Sequence, residues 1–315
     1  MLLNFYFPWS RYRAMMVRIT FVLLFFLLGA CDPQTTDVSL SAGPGSKPVV
    51  LTTNYPLYFF ASEIAGDAVD IRMPDIDGDP AMWVPGPSDL PQMQTADLII
   101  INGAGYESWL AFTTLPSGLL VDTSADIQDQ LLPIENEPLH QHGPEGAHSH
   151  EGTAFTTWLN PQIAIEQARV ISRKLSELVP AQTGGFEERL AGLEEKLSVL
   201  DQSLASVFSN FEGQPVVFSH PVYQYLQQRY ELNGQSVHWE PDTEPGLKEW
   251  VDFQNLLQEH PAKLMIWEGP PLQAMIERLQ QWGIESVIFD PAANQPESGD
   301  YFSVMHANLL RLESR

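Results

Sequence analysis

PVVFSHP (215–221), QSVHWEP (235–241), KLMIWEGP (263–270) and ESVIFDP (285–291) are the four runs that decide the fold. Each is a short, almost unbroken apolar stretch that stops at a proline. Aliphatic and aromatic residues without polar alternation mark strands buried on both faces, as in a parallel sheet. Amphipathic stretches separate them, for example Pro271 to Trp282. The same pattern occurs upstream in VVLTTNYP (49–56), VDIRMP (69–74), ADLIIING (96–103) and GLLVDTS (118–124). The expectation is an α/β protein with two parallel-sheet lobes of about 100 residues each.

Between the two series, Phe186, Leu190, Leu193, Leu197, Leu200, Leu204, Val207 and Phe211 are spaced 4-3-4-3-4-3-4. That is a narrow helical stripe, on the order of 38 Å long at 1.5 Å per residue, enough to run the height of both lobes. A coiled-coil seam has the same spacing, but the stretch is short for one and the flanking lobes supply a simpler partner. The reading is therefore an intramolecular spine over 184–211, with a first lobe at 48–180, a second at 214–315 and the ligand cleft between them.

The amino terminus reads as an export signal. Residues 20–30, TFVLLFFLLGA, are uncharged and follow Arg11, Arg13 and Arg18. Eleven residues fall short of the roughly 20 that span a bilayer core, but fit the apolar region of a secretory signal. Leu28-Gly29-Ala30-Cys31 resembles a lipobox, so 1–30 is expected to be a signal peptide and Cys31 the lipidated first residue of the mature chain. A short buried helix with an incidental cysteine is the alternative. Residues 31–47 are rich in Ser, Thr, Gly and Pro and read as a flexible tether. Asp32 resembles the signal that keeps a lipoprotein on the periplasm-facing side of the inner membrane.

The chain carries 16 basic and 40 acidic residues, a net charge of −24; without the three arginines of the signal, 13 against 40 leaves −27. Such a surface repels phosphate backbones, which argues against nucleic acid, and attracts cations. One cysteine precludes an intrachain disulfide and a cysteine-rich zinc knuckle. No GxSxG elbow, P-loop or HExxH string is present, so the reading is not an enzyme.

In an open parallel sheet, ligands gather at the carboxyl ends of the strands. The four runs of the second lobe end with His220, with His238 and Glu240, with Glu268, and with Asp290. One imidazole with two or three carboxylates can hold a divalent cation; such an oxygen-rich set suits manganese or iron, and zinc accepts it. The bland alternative has the two glutamates capping helices or pairing with Arg, and His238 packed. A second candidate is ENEPLHQHGPEGAHSHE (135–151), with His140, His142, His148 and His150. Its Gly and Pro argue against a regular element and for an exposed loop that binds metals weakly, or for a merely solvated insert. His260 and His306 sit in helical contexts and read as structural.

Longer strings carry a resemblance. LTTNYPLYFFASEIAGDAVDIRMP (51–74), ADLIIINGAGYESWL (96–110) and TWLNPQIAIEQARVIS (157–172) resemble, in order, segments of the metal-specific solute-binding proteins of ABC transporters, the zinc and manganese group. In the second string Asn102, Gly103, Gly105, Glu107 and Trp109 match that family. The resemblance implies a lipid-anchored, monomeric binding protein that carries a divalent metal, zinc, to a permease. It also implies four ligands. His220 and Asp290 match two of them, whereas Ala81 and Thr156 stand where the family has histidines. Imidazoles of the 135–151 loop, folded over His220 and Asp290, would make good the loss. The rival reading is an accessory or adhesion-type lipoprotein that kept the fold and lost capture.

Overall fold

The computed structural model describes residues 46–76, 78–134, 140–141, 147–148 and 152–315. The signal segment, Cys31, the tether as far as residue 45, His142 and His150 lie outside them.

Four short strands open the chain's order: β1 (Val49–Thr52), β2 (Asp70–Arg72), β3 (Leu98–Ile101) and β4 (Leu120–Asp122). All their pairings are parallel, in the order β2-β1-β3-β4. Helix α1 (Tyr55–Ala65) follows β1, and α2 (Asp89–Thr95) precedes β3. Two residues each of β5 (His140–Gln141) and β6 (Ala147–His148) pair antiparallel, His140 opposite His148. The expectation of no regular element in 135–151 is thus corrected at these four residues; Gly143, Pro144 and Gly146 lie outside the described ones.

Helices α3 (Pro161–Leu178) and α4 (Thr183–Phe208) lead to the second sheet. There β7 (Val216–Phe218), α5 (Gln224–Arg229), β8 (Gly234–Ser236), α6 (Leu247–Glu259), β9 (Leu264–Trp267), α7 (Gln273–Gln281) and β10 (Glu285–Ile288) alternate, and α8 (Tyr301–Glu313) ends the chain. The strands are parallel, in the order β10-β9-β7-β8, which read from the other edge repeats the first sheet. The two-sheet α/β class expected from the apolar runs is borne out. In QSVHWEP the strand stops earlier than the pattern implies, at Ser236, and the chain continues beside β7 through Val237 N–H to Phe218 O (2.9 Å) and Trp239 N–H to Ser219 O (2.7 Å). Among the described residues no helix is long and apolar enough to cross a membrane.

Local chemistry explains the helix starts. Asn54 and Asn160 have extended backbones, and each side-chain oxygen accepts the N–H at the head of its helix (Leu57 and Gln162, both 3.0 Å). Proline follows each, where its missing N–H costs nothing. The stripe on α4 is buried at Phe186, Leu193, Leu197, Leu200, Leu204 and Val207, against α1, α3 and α8. The helix is therefore an intramolecular spine, as the spacing implies, although it ends at Phe208 and Phe211 lies in a following turn. On the same helix the buried Asp201 carboxylate accepts Arg229 (2.9 and 2.6 Å), Tyr230 (3.0 Å) and Gln162 (2.9 Å).

The main apolar cluster runs without a break from Val50 and Phe60 through α4 to Phe218 and Phe289, so the two sheets share a core. A second cluster backs the other sheet: Trp239 lies 4.6 Å from Trp250, 4.7 Å from Phe253 and 6.3 Å from Trp267 between ring centroids, and Arg278 covers Trp250 at 3.9 Å. Hydrogen bonds also cross directly between the lobes. Thr156 Oγ1 donates to Val222 O (2.5 Å), Trp158 Nε1 to Pro291 O (2.8 Å), Tyr55 N to Ala293 O (3.1 Å) and Tyr225 Oη to Ala154 O (2.8 Å).

Candidate metal centre

With β7 and β9 adjacent at the point where the strand order reverses, the crevice outside their carboxyl ends is where a ligand belongs. His220 follows β7 after Ser219, and Glu268 is the first residue beyond β9. Ser219 N–H reaches Ile266 O (2.8 Å), while Trp239 N–H reaches Ser219 O (2.7 Å). These two bonds draw the turns after β7, β8 and β9 together.

The side chains converge accordingly. His220 Nδ1 is 3.6 Å from a Glu240 oxygen and 3.7 Å from a Glu268 oxygen. One donor atom from each of the three lies within 4.8 Å of the others. Ligand bonds of about 2.1 Å in a tetrahedral arrangement put donors roughly 3.4 Å apart, so this spacing fits a small divalent cation with little adjustment. All three are half-buried, shielded yet open to an incoming ion. The His238 ring stands edge-on to His220 at 5.6 Å, beside the donor trio rather than in it.

Asp290 sits beyond β10 and is built differently. Its Oδ1 accepts the Ala292 N–H (2.7 Å), and the buried Asn308 amide clamps its backbone at both N–H (2.9 Å) and C=O (2.8 Å). Arg311 in turn donates to Asn308 Oδ1 (2.9 Å). Burial raises the Asp290 pKa, against the opposing pull of the Ala292 N–H and the Arg311 charge. Asp290 does not join the trio of donor atoms but belongs to the same electrostatic basin. Burial, then the charges of Glu240, Asp79 and Asp290, push Glu268 up to about 8.

Asp79 is the residue that sequence reasoning passed over. It stands at the head of the string Asp79-Pro80-Ala81-Met82, and its only signal was an acid two positions before the missing ligand. Its Oδ1 accepts the Ala81 N–H (2.9 Å) and caps a short turn, Pro80–Met82. Ala81 itself packs against the main core and offers no donor. Thr156 is buried, with its hydroxyl hydrogen committed to Val222 O.

The reversal point of the first sheet, between β1 and β3, is filled from within. Glu107, buried, accepts Thr53 Oγ1 (2.5 Å), Asn102 N–H (2.7 Å) and Gly103 N–H (3.0 Å). Burial pushes it up to about 7 against those three hydrogen bonds. Gly103 is required there: its φ is +73°, and a Cβ would fall 1.9 Å from Asp122 Oδ1. The Asn102–Trp109 string thus builds the first lobe's edge. Elsewhere, His260 Nε2 lies 2.9 Å from Val216 O within the fold, and His306 is exposed on α8.

Twin 2-1-3-4 parallel sheets on a helical spine, with an imidazole–carboxylate group at the carboxyl edge of one, define a two-lobed α/β class. Residues 50–315 match the family model of ZnuA, the zinc-uptake complex component A, periplasmic, and the chain belongs to that family. The resemblance read from the sequence is borne out. The zinc-binding lipoprotein AdcA of Streptococcus pneumoniae serotype 4 is 28% identical over 300 residues; the match covers 91% of this chain but only 58% of AdcA. The manganese ABC transporter substrate-binding lipoprotein PsaA of S. pneumoniae is 30% identical over 309 residues, covering 93% of this chain and 95% of PsaA. In fold, the chain is similar to the metal-dependent lipoprotein YcdH of Bacillus subtilis, at a TM-score of 0.72 with 22% identity over 85% of this chain and 98% of that one. It is also similar to Zn(II)-bound AdcA, at a TM-score of 0.69 with 23% identity over 85% and 57%.

Proposed function

We propose that this chain is an extracytoplasmic, lipid-anchored solute-binding protein that captures one divalent metal ion, zinc, and hands it to an ABC permease. The observation that carries the reading is the trio His220, Glu240 and Glu268, with His220 Nδ1 3.6 and 3.7 Å from the two carboxylates. Asp290 and His238 complete the surroundings. The work is binding rather than bond-making: the ligands must be deprotonated, and the field of four carboxylates draws a cation in. Zinc accepts the mixed nitrogen–oxygen set. Anchoring at Cys31, on the periplasm-facing side of the inner membrane, rests on the amino-terminal string. The His-rich segment with His140, His142, His148 and His150 acts as a weak, additional metal collector.

Calorimetric titration of the purified protein with zinc chloride tests this. One equivalent of zinc should bind, and His220→Ala should lower the affinity far more than His142→Ala. Equal and negligible effects of the two would sink the cleft site. The accessory-lipoprotein reading draws on Ala81 and on the Thr156 hydroxyl engaged with Val222, which deprive the cleft of the family's first-lobe ligands. A neighbouring permease and ATPase gene pair, with stoichiometric metal in the purified protein, would favour capture over it.

A further inference from the structure

We propose that His238 is the fourth ligand of this site and the residue that selects zinc over manganese. The inference rests on the metal-capture reading and deepens it, by naming what closes the coordination shell from within the second lobe. The backbone brings His238 there. After β8 the chain runs on beside β7, with the N–H groups of Val237 and Trp239 both directed at it (Phe218 O, 2.9 Å; Ser219 O, 2.7 Å). Side chains alternate along such an extended stretch. Val237 and Trp239 turn into the apolar cluster behind the sheet, so His238 shares the opposite face with Glu240, a member of the trio. Trp239 is buried, whereas His238 and Glu240 are half-buried, as His220 and Glu268 are. The Trp239 ring is itself gripped by Trp250 and Phe253, which anchors the backbone between the two polar side chains.

The ring geometry matches shared coordination. The centroids of His220 and His238 are 5.6 Å apart, with the ring planes 72° from parallel. Two imidazoles that ligate one zinc through nitrogens at about 2.1 Å, at a tetrahedral angle, hold their centroids roughly 5.3 Å apart. The separation is thus already that of a ligand pair. In the ion-free protein His238 stands outside the group of donor atoms that lie within 4.8 Å of one another, so its ring must turn on loading. The Cβ–Cγ bond points through the ring centre. Rotation about it swings both nitrogens and leaves the centroid in place, and that torsion is broad and soft in histidine.

The completed set is two imidazole nitrogens and two carboxylate oxygens, all from the second lobe. The first-lobe positions then need supply nothing: Ala81 packs against the main core, and the Thr156 hydroxyl donates to Val222 O. The second imidazole also decides the ion. A four-coordinate nitrogen–oxygen set suits zinc, whereas manganese is served by carboxylate, carbonyl and water oxygens in an octahedral shell. Without His238, one imidazole and two carboxylates remain, a set that manganese accepts as readily.

Zinc-edge X-ray absorption of the full mature chain, loaded with one equivalent of zinc, counts imidazoles directly. Two are expected in the parent and one in His238→Ala. Calorimetric titrations with zinc chloride and, separately, manganese chloride give the selectivity. Removal of groups that merely orient a ligand costs roughly 10–100-fold in metal affinity; His238→Ala should lose at least that for zinc and less than about threefold for manganese. His238→Phe keeps a ring against His220 but offers no nitrogen, and should behave as His238→Ala does. Should His238→Phe bind zinc like the parent, the ring only packs and the ligand role is refuted. A single imidazole in the loaded parent refutes it too, and settles the matter alone if neither variant folds; in both cases loss of binding in His220→Ala leaves capture standing. Should the parent bind neither ion, or His220→Ala bind like the parent, the capture reading fails and takes this inference with it.

Discussion

Glu268 should set the pH dependence of ion capture. Burial and its acidic neighbours push it up to about 8 in the ion-free protein. At pH 7, about ten in eleven molecules therefore carry it neutral, and only the carboxylate can ligate. Binding at pH 7 must expel about 0.9 proton from this group. Apparent affinity is then about tenfold below its high-pH limit, roughly 1.4 kcal/mol, and about a hundredfold below it at pH 6. The sign for stability follows from the raised value. The neutral form stabilises the ion-free fold fully below the ordinary carboxylate range, and that contribution is lost as pH rises through about 8. A bound divalent ion favours the charged form and reverses the trend. The gap in Tm between ion-bound and ion-free protein should therefore widen from pH 6 to 8.5. Calorimetric titration with zinc chloride in two buffers of different ionisation enthalpy counts the protons directly. Glu268→Gln should remove about 0.9 from the count at pH 7 and flatten the profile above pH 7. A proton count unchanged by Glu268→Gln, or a parent affinity that is flat between pH 7 and 8.5, would refute the reasoning.

Other positions give separate outcomes. Thr156→Val leaves Val222 O without its donor, at a cost of about 1–3 kcal/mol in Tm scans, yet should keep zinc affinity within about twofold; a large loss of affinity would make the hydroxyl a ligand. Gly103→Ala drives a methyl to 1.9 Å from Asp122 Oδ1 at a φ of +73°, so it should destabilise by about 3 kcal/mol or more, and a Tm within about 2 °C of the parent's would contradict that contact. For Asp201 the hydrogen bonds from Arg229, Gln162 and Tyr230 outweigh the burial that would raise its pKa, and leave it lowered. A lowered value gives stability above the unfolded carboxyl range that is lost as pH falls through the folded value. Asp201→Asn should therefore cost about 2 kcal/mol at pH 7, discounted because Arg229 is partly exposed, and the gap to the parent should close by denaturant titration as pH falls below the ordinary carboxyl range.

How far could the sequence be read? The apolar runs ended by proline located both sheets, because strands buried on two faces carry a signal that needs no partner to interpret. His220, Glu240 and Glu268 were legible for a related reason. They lie just beyond the carboxyl ends of parallel strands, and the topology of the sheet brings those ends together. Asp290 was legible in position but not in its ties: nothing local announces that Asn308, 18 residues on, clamps its backbone. Thr156 looked like a weakened ligand and is an engaged donor, since its partner Val222 lies 66 residues away. The path of the segment leading into Asp79 was invisible, because Asn294, from the far end of the chain, fixes it. Periodicity reports burial; it does not report which loop meets which.

The indole cluster behind the second sheet gives the molecule an optical reporter of its own. Trp239 lies between His238 and Glu240 in the chain, Trp267 immediately precedes Glu268, and the two rings are 6.3 Å apart, with Trp250 at 4.6 Å from Trp239. Any shift of either glutamate upon loading must tug on a backbone that carries one of these fluorophores. Emission excited near the red edge of tryptophan absorbance should therefore follow occupancy without a label, and Trp239→Phe should silence most of the response.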